Sequence, residues 1–418
     1  MPTAVSSLPV PEVPVATSRW LAIVGIGEDG LDGLTAAART LISTAELVVG
    51  GERHLALARD LVRGRTLAWP RPLTAAFPEI AAHRGRPVVV LATGDPFNYG
   101  VGRQLAAVVP PDEILSLPQP SSFSLAASRL CWSLPDLTTV TLHGRPLESI
   151  VRHLQPGARV LALSWDQTTP EKLAALLVAR RMGDSRISVL EALGGPRERV
   201  RHTTAESFDL AGIDPLNLIG VEVAAAPDAA VVPLASGLDD ALFEHDGQLT
   251  KRDIRAVTLA ALAPRQGELL WDVGLGAGSV AIEWLLRHPA MRAIGIEARP
   301  ERAARAARNA AFLGTPDLRI VEGQAPAALA DLPAPDAVFV GGGFSDDGVF
   351  ETVWTALKPG GRLVVNAVAI ETETRLFALH AKHGGELVRV QIARAEPVGT
   401  MTGWRSAMPV TQWRAVKP

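Results

Sequence analysis

Short apolar runs recur along this chain in two separate series, divided by a stretch that has no period at all. The first series is WLAIVG (20–25), ELVVGG (46–51), VVVLATG (88–94), TTVTLHG (138–144), RVLALS (159–164), RISVLE (186–191) and LNLIGVEV (216–223). Runs of this length, bounded by glycine and polar residues, read as buried strands. Amphipathic patterns between them, such as 34–45 and 171–182, complete the alternation of an α/β domain. The second series is ELLWDVG (268–274), MRAIGIE (291–297), LRIVEG (318–323), DAVFVGG (336–342), GRLVVNA (361–367), ELVRVQIAR (386–394) and MPVTQWRAV (408–416). Between the series lies AAAPDAAVVPLASG (224–237), small, proline-containing and without amphipathic period, which predicts a linker at 226–238. Two α/β domains are therefore expected, at 19–225 and 239–418, with 1–18 a disordered tail.

Within the second series, Pro300 and Gly314 bracket a helix in the manner of proline at the start and glycine after the end. Thr250 with Asp253 resembles a capping box opening a helix that runs to about Leu262. The last two runs are separated by a segment containing Gly399 and Gly403 and no helical pattern. That spacing predicts an antiparallel pair joined by a loop.

Charge removes several classes of function. The 41 Lys+Arg against 44 Asp+Glu give a net charge of −3, so no global basic field marks a nucleic-acid partner. No apolar stretch approaches the roughly 18 residues of a membrane span. The single cysteine, Cys131, has no partner for an intramolecular disulfide or a cysteine metal site, which suits a reducing cytoplasm and predicts no bound metal.

The most informative local sequence follows the first strand of the second series. Asp272-Val-Gly274-Leu-Gly276-Ala-Gly278-Ser279 leads into the helical pattern VAIEWLLRH. Strand, glycine turn and helix together let backbone approach a ligand and aim N–H groups at it. Glu297, ending the next strand, has the position of an acid that accepts from ribose hydroxyls, and Gly323-Gln324 ends the third strand, where an adenine edge would lie. A generic nucleotide-binding loop, or a purely structural one, remains compatible with the glycines alone. In the first half, Gly25, Gly27 and Gly30 spell a formal GxGxxG, the signature of a nicotinamide-dependent reductase, yet the following strand ends in Gly50-Gly51 rather than in an acid. More telling are the turns after successive strands: Gly94-Asp95-Pro96, then Ser121-Ser122, then His143-Gly144-Arg145. They collect backbone groups at one sheet edge, the usual place for ligands in α/β folds.

Asp-x-Gly-x-Gly-x-Gly followed by an acid after the second strand resembles the class I S-adenosylmethionine-dependent methyltransferases. GIGEDG (25–30), GGERH (50–54), ATGDP (92–96), PSS (120–122), LHGR (142–145) and LEALGGPRERV (190–200), taken in order, resemble the class III, or tetrapyrrole, methyltransferases. Glu28-Asp29 departs from the Pro-Gly that many of those relatives carry. The further stretches LTKRDIRAVTLAAL (249–262), PDAVFVGGG (335–343), LKPGGRLVVNAV (357–368) and ARAEPVGTMTGW (393–404) are similar to the decarboxylating branch of cobalamin-pathway methyltransferases.

The fold implied is an N-terminal class III tetrapyrrole methyltransferase domain fused to a C-terminal class I Rossmann-like methyltransferase domain. The resemblance further implies one S-adenosylmethionine per domain and a precorrin substrate. The first domain would methylate carbon 5; the second would methylate carbon 15 and remove the carbon-12 acetate carboxyl. It assigns Asp272, Gly274, Gly276, Gly278, Glu297, Gly323, Gln324, Gly94, Asp95, Pro96, Ser121, Ser122 and His143 to cofactor binding. The alternatives to weigh against it are a nicotinamide-dependent tetrapyrrole reductase and a non-catalytic tetrapyrrole carrier. A homo-oligomer is expected.

A precorrin carries many acetate and propionate groups, so cations are required where it binds. Lys251 and Arg252 in the second half, and Arg53, His54 and Arg145 in the first, are the candidates. No nucleophilic side chain is needed for methyl transfer from a sulfonium to a ring carbon, and the sequence singles out no general base.

Overall fold

The computed structural model describes residues 19–418, so the tail expected at 1–18 lies outside the described residues. Two compact units are present. One holds the described chain from Arg19 to Ala224, apart from Gly144–Ala158 and Ala179–Met182; the other holds those two segments and everything from Ala225 to Pro418.

The first unit contains two sheets. β1 (Leu21–Ile26), β2 (Leu47–Gly50), β3 (Arg65–Ala68), β4 (Val88–Thr93) and β5 (Ile114–Leu117) form a parallel sheet in the order β3-β2-β4-β1-β5. β1, β2 and β4 are buried along nearly their whole length, as sheets covered on both faces require. β6 (Thr138–Thr141), β7 (Arg159–Leu163), β8 (Arg186–Glu191), β9 (Arg199–Thr204) and β10 (Asn217–Glu222) form a mixed sheet in the order β6-β7-β10-β8-β9. β3, β5 and β9 were not legible as strands, and the reason is plain for β9. Its RVRHTT carries Arg199 and Arg201 on one face, and both guanidiniums grip the fully buried Glu191 of β8, so the apolar signal of a strand is replaced by an ion cluster.

In the second unit, β11 (Leu269–Val273), β12 (Arg292–Glu297), β13 (Arg319–Glu322), β14 (Ala337–Val340) and β15 (Arg362–Ala367) run parallel. β16 (Glu386–Val390) and β19 (Val410–Val416) are antiparallel partners, as expected, and complete a seven-stranded sheet in the order β13-β12-β11-β14-β15-β19-β16. The segment between β16 and β19 is not the loop that its glycines suggest. It folds into a hairpin of its own, β17 (Ala393–Val398) with β18 (Met401–Ser406). Gly399, at φ +62°, turns it, and the two strands pair only with each other.

The stretch expected to be a linker, 226–238, is packed into the second unit. Val232 and Leu238 are buried, and the N–H groups of Gly237 and Leu238 donate to the two carboxylate oxygens of Glu283 at 2.7 and 2.8 Å. Glu283 lies on the Ser279–Leu286 helix and pairs with Arg255 at 2.5 Å, both side chains 0% exposed. Arg255 in turn donates to the carbonyls of Leu238 and Thr250 and lies over the ring of Phe243. Its capture of the Thr250 carbonyl explains a correction to the capping box. The helix spans Arg252–Leu262 with Lys251 as its N-cap and no side-chain cap, so Thr250 lies one residue outside.

Among the described residues no helix is long and apolar enough to cross a membrane, and no cluster of His, Cys, Asp or Glu is arranged to hold a metal.

Removing one member of a buried ion pair leaves the other charge unpaired, at about 3–5 kcal/mol. Glu283→Ala should therefore lower the unfolding free energy of the second unit, read from urea titration, by that amount. Glu244→Ala, which removes an exposed pair with Arg308, should change it by less than about 1 kcal/mol. Equal effects of the two substitutions would refute the central role of Glu283.

Candidate functional site

A cavity of about 560 Å³ opens at the carboxyl ends of β11–β15, within the usual range for small-molecule sites. Its floor is the glycine turn after β11. Gly274, Gly276 and Gly278 all have positive φ, at 76°, 57° and 80°. A Cβ on Gly274 would approach the Gly342 backbone to 3.0 Å, so two glycine turns, after β11 and after β14, meet without side chains between them. Asp272, the penultimate residue of β11, is buried; its Oδ2 accepts from Ala281 N at 3.0 Å, while its Oδ1 has no partner. Burial, aided by nearby Glu297 and opposed by the Ala281 N–H, pushes its pKa up to about 7. Glu297 accepts from Gly276 N at 2.8 Å and Arg299 N at 3.0 Å, which fixes the carboxylate and leaves it further lone pairs. Gly323 and Gln324 line the same cavity from the end of β13, with Gln324 Nε2 donating to Asp346 at 3.2 Å.

The opposite wall is a strap, residues 243–251. Glu244 and Asn309 exchange hydrogen bonds, and Asn309 also donates to Ala277 O at 2.9 Å, tying the strap to the glycine turn. Asp246 holds Arg302 and Arg305 of the Pro300–Phe312 helix at 2.9 and 3.1 Å. The strap brings Gln248 to within 3.4 Å of where a Gly276 Cβ would be. It also brings Lys251 to the cavity wall, half-exposed and 3.9 Å from Asp240. Arg252 is exposed, does not line the cavity, and packs its stem beside Gly237, because the helix turns its first residue away from the strap.

Sequence reasoning missed Asn366 and Arg394, both on the cavity wall. Asn366 carried a signal, a lone amide in the apolar strand LVVNA. Arg394 carried none, since it reaches the cavity only through the β17–β18 hairpin, where it pairs with Asp253.

In the first unit the turns after β1, β4 and β5 come together. A Cβ on Gly25 would collide with the Gly94 carbonyl oxygen, and one on Gly94 would sit 2.7 Å from Pro120 O. The formal GxGxxG is thus explained by backbone packing at Gly25. Gly94 lies against Pro120 and Ser121, with Gln119 N donating to Gly94 O at 3.1 Å. Asp95 caps its own turn through Phe97 N, and Ser121 N-caps the Ser122–Leu130 helix. His143 follows β6 on the other sheet, exposed, its ring 5.9 Å from Trp165.

The cations of this half behave differently from one another. Arg53 pairs with Glu28, which also holds Arg197, and its other N–H groups reach Thr93 Oγ1 and His54 Nε2 at 2.8 and 2.9 Å. Burial first, then the Arg53 charge, lower the His54 pKa to about 4 against the opposing pull of Glu28. His54 is therefore neutral at physiological pH and offers no charge to a carboxylate. Arg145, in the Gly144–Ala158 segment that belongs to the second unit, is exposed and carries no ion pair among the described residues.

Residues 21–209 match the tetrapyrrole (corrin/porphyrin) methylases, and 241–417 match the precorrin methyltransferase domain. A Sinorhizobium protein named precorrin-6Y C(5,15)-methyltransferase [decarboxylating] is 57% identical over 97% of this chain and 98% of its own. The chain belongs to that family. A Mycobacterium tuberculosis member is 39% identical over 94% of this chain and 99% of its own. The crystal structure of the C-terminal domain of the Rhodobacter capsulatus member is 50% identical, covering 44% of this chain and 100% of that one, at a TM-score of 0.42. The fold is accordingly a class III domain followed by a class I domain, and the chain is a methyltransferase.

The residues fit an S-adenosylmethionine cofactor: an unpartnered buried carboxylate oxygen calls for a cationic donor, and such a cofactor carries an ammonium and a sulfonium. Without ligand, Asp272 remains protonated to about pH 7 where an unfolded Asp would ionise near 3.8, so stability should fall as pH rises through that window and level off above it. A cationic ligand reverses the preference. The deprotonated fraction rises from about 0.09 at pH 6 to about 0.91 at pH 8, so affinity of the second unit for S-adenosylhomocysteine should rise roughly tenfold. Calorimetry at both pH values should find this rise, and Asp272→Asn should flatten it; a flat wild-type profile would remove Asp272 from the binding site.

Proposed function

We propose that this chain transfers two methyl groups from S-adenosylmethionine to precorrin-6B, at ring carbons 5 and 15, and removes the carboxyl of the carbon-12 acetate, as a step of cobalamin synthesis. What carries this reading is the full-length similarity to a decarboxylating C5,15-methyltransferase, together with a cavity built on Asp272, the glycine turn and Glu297. Each domain, 19–225 and 239–418, binds its own cofactor. Asp272, Gly274, Gly276, Gly278, Glu297, Gly323 and Gln324 hold one; Gly94, Asp95, Pro96, Ser121, Ser122 and His143 hold the other.

When bound, the cofactor supplies an electrophilic methyl group. The chain's own residues align the ring carbon and keep water out, which is where most of the acceleration of such a displacement originates. Lys251 holds a substrate carboxylate at the mouth of the second cavity. Toward the first domain's substrate Arg145, without an ion pair among the described residues, takes the same task, whereas Arg53 is engaged by Glu28 and His54 serves as a neutral hydrogen-bonding group. The protein acts in the cytoplasm as a homo-oligomer. Supporting the latter, the β17–β18 hairpin leaves Met401 and Trp404 exposed to 74% and 79%, and an isolated two-stranded ribbon is marginal in water.

The division of labour is tested on the full chain. Gly276→Trp should abolish methylation at carbon 15 and loss of carbon dioxide while the folded first domain still binds one S-adenosylhomocysteine; the parent should bind two. Mass spectrometry of the products from precorrin-6B reads this directly. Decarboxylation that survives Gly276→Trp would overturn the assignment.

A charge-assisted contact is worth roughly 1.5–3 kcal/mol, about ten- to a hundredfold in affinity. Lys251→Gln should weaken precorrin binding by that factor and leave S-adenosylhomocysteine affinity unchanged. Arg252→Gln should leave both near wild type. A larger loss from Arg252 than from Lys251 would contradict the position of the strap.

A further inference from the structure

The second cavity has to serve two reactions, and its residues divide along the sheet. The groups assigned to the cofactor come from β11, β12 and β13, so the substrate is left the half beneath β14 and β15. Those strands bring Gly341–Gly343, Asp346, Asn366 and Val368 to the wall. Asp346 is engaged with Gln324, leaving Asn366 as the uncharged polar side chain of that half.

Asn366 is held in one orientation from behind. The buried Thr258 hydroxyl donates to Ile254 O at 2.8 Å and so must accept from Asn366 Nδ2 at 2.8 Å and from Gln412 Nε2 at 3.2 Å. Gln412 Nε2 also donates to Asn366 Oδ1 at 2.9 Å. This chain fixes which end of the amide is nitrogen and leaves one N–H and one oxygen lone pair unused. A mere space-filling residue would need no such network, and a buried polar network is costly unless each member is satisfied.

Cations stand elsewhere: Lys251 on the strap and Arg394 on the hairpin, each half-exposed. The placement matters because the two kinds of carboxylate need opposite treatment. One that merely anchors the substrate is best held by a cation. One that is to leave as carbon dioxide loses its charge in the transition state, so a tight cation would stabilise the ground state more and slow the step. A neutral donor orients the group with a smaller penalty of this kind.

We propose that Asn366 is a catalytic residue for decarboxylation, its free N–H holding the departing acetate carboxylate so that the breaking bond stands across the conjugated ring. This deepens the function proposed above and rests on it. Once the ring carbon has received the methyl group, the adjoining nitrogen is a cationic iminium. The bond between the acetate methylene and its carboxyl carbon then breaks, its electron pair neutralises the iminium through the conjugated system, and carbon dioxide leaves. A proton from water then adds to the exocyclic methylene carbon, giving a methyl group and restoring a ring iminium, and the hydroxide left behind takes a ring proton, so that the product is neutral again. No oxidant or reductant is consumed.

The experiment uses the full chain with precorrin-6B and S-adenosylmethionine, following methylated product with and without its acetate carboxyl by mass spectrometry. Asn366→Asp keeps the shape, still accepts from Gln412, and places a repelling charge at the carboxylate; Asn366→Leu removes the donor. Both should slow carbon dioxide loss at least about tenfold, the scale of one lost hydrogen bond, and accumulate methylated product that retains the carboxyl. Methyl transfer and S-adenosylhomocysteine affinity should stay near wild type. Thr258→Val, which frees the amide to rotate, should shift the product ratio the same way to a lesser degree, and decides the matter if the Asn366 variants lose cofactor binding. An unchanged ratio, or equal losses in both steps with cofactor affinity intact, overturns the role. Absence of methylation by the parent chain would instead overturn the function itself.

Discussion

The buried pair of Arg255 and Glu283 is the interaction on which the second cavity depends. Glu283 sits on the helix that the glycine turn opens, and Arg255 on the helix that the strap enters. Between them they also satisfy the N–H groups of Gly237 and Leu238 and the carbonyls of Leu238 and Thr250. Two fully buried charges are tolerable because nearly every remaining donor and acceptor in the group is engaged. The consequence is geometric: floor and wall of the cavity are pinned to one another, and Lys251 is delivered to the rim. The expected linker, 226–238, loses its freedom for the same reason.

Around that anchor the charges of the second site form a gradient of solvent contact. Asp272 is buried with a free oxygen, and burial holds it protonated up to about pH 7. Glu297 is tied to two backbone N–H groups, and Lys251 and Arg394 stand half in water. The acids at the glycine turn are thus rigid and desolvated, whereas the cations at the rim keep side-chain freedom. In the first unit the logic differs. Arg53 and Arg197 converge on Glu28, and the neighbouring His54 is kept neutral, so that edge is a hydrogen-bonded surface rather than a cationic one.

The sequence made the second domain readable because its central strands are apolar and buried and its glycine turn is contiguous. Asp272 to Gly278, and Glu297 at the next strand end, needed no tertiary information. The first domain was legible as a set of turns, but not as a site: Gly25 reads as a nucleotide glycine until its close approach to Gly94 is seen. Strands such as β9 stayed hidden because a charged strand face is indistinguishable from solvated surface until its buried acid, Glu191, is found across the sheet.

What the chain determined by itself is local: where strands end, where the backbone must turn with positive φ, and which two methyltransferase domains follow one another. These depend on neighbours in sequence, through side-chain volume, periodicity and the steric freedom of glycine. Only the tertiary structure decided which charges are free. Lys251 and Arg252 are adjacent and chemically alike, yet one faces the cavity and the other does not, and Arg394 arrives from a hairpin more than a hundred residues away. Asn366 acquires an oriented amide only from Thr258 and Gln412, on other elements. Burial and pairing fix charge state and direction, and both are properties of groups brought together in space, which no stretch of sequence contains.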